Sequence, residues 1–119
     1  MRIRSMAVIL GMVLCAAGPL AASGSGSGFE RLKSLEGTWR GKAPDGAPVT
    51  VTYKVIAAGS AVMEQLSVEN MITVYHADGD NLMLTHYCAG NNQPRMRASA
   101  AGQDGSVLSF HFVDATNLA

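Results

Sequence analysis

The turn signals constrain this chain more than any other feature. Asp45-Gly46, Asp78-Gly79 and Asp104-Gly105 are hairpin dipeptides, favoured in type I′ turns because both central residues there need φ > 0. Ala58-Gly59-Ser60, Glu69-Asn70 and Gly90-Asn91-Asn92 are weaker turn sites of the same kind. The stretches between them are short. They leave no room for the crossover helices that parallel strands require, so the strands must be antiparallel neighbours in a meander. The same spacing predicts about seven strands.

Hydrophobic periodicity agrees. Val49, Val51, Tyr53 and Val55 alternate with Thr50, Thr52 and Lys54, and Leu108, Phe110 and Phe112 alternate with Ser109 and His111. Leu82, Leu84, His86 and Cys88 form another such face. The one departure is Phe29 to Glu36, where Phe29, Leu32 and Leu35 make a helical stripe that Gly37 stops. The fold class is therefore all-β with a short N-terminal helix. A meander with one apolar face must close into a barrel or pack on another layer, and the helix fits a barrel lid. Closure takes about eight strands or more, yet the sequence stops at Asp114 to Ala119, directly after a strand. The expectation is a barrel incomplete at its C-terminus. The alternative is an open sheet whose bare edge can pair with another chain, which leaves the oligomeric state open.

Residues 1–23 read as a cleavable secretory signal, with Arg2 and Arg4, the apolar run Met6 to Leu14, and small residues around Ala21-Ala22-Ser23. The run is too short to span a membrane in the ordinary way, so no span is expected after cleavage. An uncleaved anchor is the alternative. Lipidation at Cys15 is disfavoured by the large Leu14 before it. Residues 24–28 read as a Gly/Ser linker, and residues 29–119 as the barrel domain. The expected location is periplasmic or extracellular.

Loss of the signal removes two of the nine basic residues and none of the nine acidic ones, leaving a net charge of −2 with no basic cluster. Nucleic acid is therefore excluded as an expected partner. It also leaves Cys88 as the one cysteine, so no intramolecular disulfide is possible, and burial is the usual fate of such a thiol.

Leu35-Glu36-Gly37-Thr38-Trp39-Arg40-Gly41 resembles the Gly-x-Trp opening of calycins, the group that holds lipocalins and fatty-acid-binding proteins. In that group the tryptophan plugs the closed end of the barrel, which gives Trp39 and Gly37 structural roles. A longer run is similar to a family of uncharacterised exported bacterial proteins with a calycin-like barrel. It comprises Met71 to His76, Asp78-Gly79-Asp80, Leu84 to Cys88 and Asn92 to Met96. That resemblance spans Leu32 to about Asn117. It implies a fold, no assigned activity, and members that continue past this C-terminus. Gly37 to Gly41 is also similar to the opening of nitrobindin-type haem barrels, but the haem-binding histidine of those proteins lies on a late strand with no counterpart here.

Few residues can carry chemistry. His86 and Cys88 share a strand face, about 7 Å apart, and His-x-Cys offers two zinc or copper ligands. Two ligands are not a site. His76 lies on the opposite face if the Asp78-Gly79 hairpin is even. If it is odd, His76 is on the order of 13 Å away. No metal or cofactor is therefore expected. Glu64 alternates with Val62 and Leu66, so on an inward face it is a carboxylate inside the barrel, where Arg95 or Arg97 could pair with it. Asn91 to Arg95 is a polar loop whose Asn92, Gln93 and Arg95 could line a barrel mouth. Catalytic signatures for nucleophile elbows, phosphate loops, dinucleotides and zinc proteases are missing. The functional expectation is a barrel that binds a small, partly apolar molecule, lined by Glu64, Tyr75, His86, Tyr87, Cys88, Asn92, Gln93 and Arg95. A haem or metal carrier, an enzyme on a barrel scaffold, and an envelope structural or interaction protein are the alternatives.

Overall fold

The computed structural model describes residues 25–99 and 107–118. The expected signal, Cys15 and the Asp104-Gly105 turn lie outside these residues. A helix, α1 (Ser25–Lys33), precedes seven strands. They are β1 (Gly37–Lys42), β2 (Pro48–Ile56), β3 (Ala61–Leu66), β4 (Ile72–Asp78), β5 (Asn81–Tyr87), β6 (Gln93–Ala98) and β7 (Phe110–Thr116). All seven join one sheet in sequence order, and every neighbouring pair is antiparallel. This is the meander that the turn spacing demands. The sheet is not closed: β1 and β7 are its two edges.

The turns depart from expectation in an instructive way. Asp78 pairs with Asn81, so the β4–β5 loop is Gly79-Asp80, one residue later than the Asp-Gly dipeptide. Gly79 has φ +57, and Asp80 has no positive φ. That is the type II′ pattern, with glycine at the first central position. The Asp45-Gly46 site is not a two-residue turn either. Lys42 pairs with Pro48, and the Asp45 carboxylate accepts the Ala47 amide at 3.0 Å, bending the loop as an Asx turn. The type I′ geometry falls on Glu69-Asn70, both with φ > 0 (+50 and +55), closed by Met71 N–H donating to Val68 O at 3.3 Å.

The helix also starts earlier than Phe29. Residues 25–28, expected as part of a linker, form its first turn. Serine and glycine are poor helix formers, so packing must hold this turn. Gly28 is buried, and a Cβ placed there would meet Leu108 Cδ2 at 3.0 Å and Leu82 Cδ2 at 3.4 Å. The missing side chain is what lets the helix lie this close to the sheet. The helix ends at Lys33, and Leu35 and Glu36 continue with bonds to the residues three before them. Gly37, with φ +133, turns the chain into β1 and so lies beyond the helix stop expected of it.

The stripe itself behaves as expected. Phe29 and Leu32 are buried and Leu35 partly so. They pack on Val62, Tyr75, Leu82 and Leu84 of one sheet face, with Val55, Met96 and Phe110 around them. Burying a side chain of this size contributes about 1.5–3 kcal/mol, so helix and sheet hold each other in place. Among the described residues, no helix is long and apolar enough to cross a membrane.

Candidate functional site

Strand register decides which side chains meet. Directly opposed residues of an antiparallel pair share a face. Tyr53 opposes Glu64, Glu64 opposes Thr73, and Thr73 opposes His86. These four residues therefore form a row across β2, β3, β4 and β5, on the face that carries the helix. The adjacent row toward the helix is Val55, Val62, Tyr75, Leu84 and Met96, apolar but for one phenol. On the other side of the polar row, Trp39, Val51 and Leu66 oppose one another. A polar line thus runs between two apolar ones.

Two hydrogen bonds hold groups of this line in place. Tyr75 Oη donates to Glu64 Oε2 at 3.0 Å, and Thr73 Oγ1 and His86 Nδ1 lie 2.9 Å apart. Burial raises the pKa of both Tyr53 and Tyr75 well above the ordinary phenol value, and the Glu64 carboxylate beside them adds to the rise. Both phenols therefore stay protonated and can donate. Thr73 is only 5% exposed, so its hydroxyl holds the imidazole and is not placed to attack a substrate. Among the described residues, no buried side-chain nitrogen or oxygen lacks a partner.

Three of the expected lining residues, Glu64, Tyr75 and His86, come together here. The others do not. Tyr87 opposes Ile72 on the other face and is 51% exposed. Cys88 is half-buried in a tight turn, where its Sγ accepts the Gly90 amide at 3.4 Å and its own amide donates to Asn92 O at 3.1 Å. The Asn92 backbone thus closes that turn. Gln93 Oε1 accepts from Thr116 Oγ1 and from Asn117 Nδ2, so its amide oxygen is engaged at the end of β7. Arg95 opposes Thr85 on the face away from Glu64 and grips Asp114 with two bonds, one of them Nε to Oδ1 at 2.6 Å. Arg97 opposes Met83 on that same outer face. Neither arginine can pair with Glu64.

The two-residue Gly79-Asp80 loop makes the hairpin even. His76 opposes Met83 and so lies on the opposite face from His86, its Nδ1 donating to Ala77 O, 3.0 Å away. Among the described residues, no three His, Cys, Asp or Glu side chains gather as a metal site would need. Trp39 is 53% exposed and does not plug a barrel end as the resemblance implied. Instead its Nε1 donates to Leu35 O at 2.7 Å, latching β1 to the end of the helix.

Sequence reasoning missed Tyr53 and Thr73. Tyr53 carried a usable signal, since it alternates with Val51 and Val55. Thr73 carried none, because its place depends on the register of β3 with β4. Comparison of the chain with protein-family models, with curated proteins and with solved structures returns no match.

Proposed function

We propose that this is an exported protein with a calycin-like, barrel-derived sheet that binds a small, partly apolar molecule on its helix-bearing face. The observation that carries the reading is the hydrogen-bonded polar row, Tyr53, Glu64, Thr73 and His86, set between two apolar rows. Binding sites are mostly apolar with a few fixed polar groups, and this face has that composition. Tyr75 fixes one carboxylate oxygen of Glu64, and Thr73 fixes the imidazole of His86. Both polar groups are thereby oriented before any ligand arrives, which lowers the ordering cost of binding. The positive N-terminus, apolar run and small residues of 1–23 support export to the periplasm or the cell exterior.

Native mass spectrometry of the chain purified from its own host's export pathway, with an absorbance scan, tests this reading. A defined extra mass that disappears when Glu64 and His86 are both replaced is the expected result. A clean apo mass, with no binding across a panel of amphiphiles, contradicts it.

A further inference from the structure

We infer that the ligand class of this site is a cationic amphiphile, with an ammonium head at Glu64 and an apolar tail over Trp39, Val51 and Leu66. The inference rests on the binding reading above and deepens it.

The charge pattern of the helix-bearing face is the argument. Among the described strand residues on that face, Glu64 is the one Asp, Glu, Lys or Arg. No described lysine or arginine pairs with it. The described ion pairs are Lys33 with Glu30 on the helix and Arg95 with Asp114 on the outer side. A half-buried carboxylate without a cation is costly unless it is hydrogen-bonded. Here one phenol donates to it, and a second, Tyr53, stands directly opposite. Glu36 adds a further carboxylate at the margin, accepting the Val55 amide at 3.0 Å. The site is therefore acidic and rich in aromatic rings. Carboxylate and ring faces both attract an ammonium group, whereas an anionic head is repelled by the Glu64 carboxylate.

The apolar residues decide the rest of the ligand. On the helix side, Val62, Tyr75, Leu82 and Leu84 are already covered. On the far side of the polar row, Val51 and Leu66 are half-buried, and the Trp39 ring is half exposed. A tail laid along this row leads away from Glu64 on the same face, so one molecule can satisfy both features.

The test uses three probes with the same chain, octyltrimethylammonium, octanoate and octanol, below their micelle concentrations. Each is titrated into the 119-residue chain by calorimetry and by Trp39 fluorescence. The expected order is ammonium tightest, by roughly tenfold over octanol, with octanoate weakest. Glu64→Gln should bring the ammonium down to the octanol level while leaving octanol binding unchanged. Glu69→Gln, on the exposed β3–β4 turn, should leave all three unchanged and so exclude simple attraction to an acidic protein. Equal affinity for the three probes, or preference for octanoate, overturns the cationic assignment while the binding reading stands. Failure of all three to bind overturns both. The wild-type series decides the matter even if a Glu64 variant does not fold.

Discussion

The β2–β5 part of the sheet and the β6–β7 part handle charge in opposite ways. In the first, a carboxylate sits half-buried on the helix-bearing face and accepts from the Tyr75 hydroxyl, and no described lysine or arginine pairs with it. In the second, Arg95 and Asp114 face solvent and hold each other. The first arrangement fixes a charge that a ligand can use. The second neutralises a charge on an exposed strand, and Phe112, 56% exposed, lies on the same strand of that edge. The contrast teaches that the unspent charge sits on the helix-bearing face and the neutralised one on the outer face.

Substitutions can break that contrast. The largest effect is expected at the helix–sheet contact. Leu82→Ala removes a buried side chain beneath Gly28 and should destabilise by about 2–5 kcal/mol. Urea denaturation followed by circular dichroism measures it. A loss under about 1 kcal/mol would mean that the helix does not rest on this residue.

Alkaline pH gives the next effect. Tyr75 has a folded-state pKa above its ordinary 10.0, because it is buried and faces Glu64. A raised pKa favours the protonated form in the folded state. Its contribution is therefore fully present below pH 10 and is lost as the pH rises beyond, where the unfolded phenol ionises and the folded one does not. The slope is at most about 1.4 kcal/mol per pH unit for one group. Tyr75→Phe should flatten the fall in stability above pH 10. An identical slope in wild type and variant would remove Tyr75 from the buried row.

A smaller gain is expected at the β2–β3 turn. Ala58 has φ +53, a conformation that costs an L-residue roughly 1–2 kcal/mol and glycine nothing. Ala58→Gly should raise the urea midpoint, offset in part by added freedom of the unfolded chain. The smallest effect belongs to the exposed pair. Arg95→Ala should leave the melt nearly unchanged, and what change there is should vanish in high salt.

How much of this was legible in the sequence follows from periodicity and register. Strand number, antiparallel order and the Phe29-Leu32-Leu35 stripe all came from local spacing, which the chain cannot rearrange without exposing its apolar side chains. Hairpin parity did not. An odd-length loop in place of the two-residue Gly79-Asp80 would shift the pairing by one residue and move every side chain of β5 to the other face. That parity decides that His86 joins Glu64 while Tyr87 does not, and the β3–β4 register separately turns His76 away. Arg95 was lost to the site for a related reason: its face is set by pairing with Thr85, and its partner Asp114 lies beyond a bulge in the β6–β7 register. The helix start was hidden because Ser25 to Gly28 has the composition of a linker, and only the contact of Gly28 with Leu82 and Leu108 reveals its use.

The central claim is that Glu64 belongs to Tyr75 and not to an arginine. A pair of double-mutant cycles on folding stability tests it most directly. Glu64→Gln combined with Tyr75→Phe should show a coupling of about 1 kcal/mol, as hydrogen-bonded neighbours do. Glu64→Gln combined with Arg95→Ala should be additive. Additivity with Tyr75, or coupling with Arg95, would contradict the account.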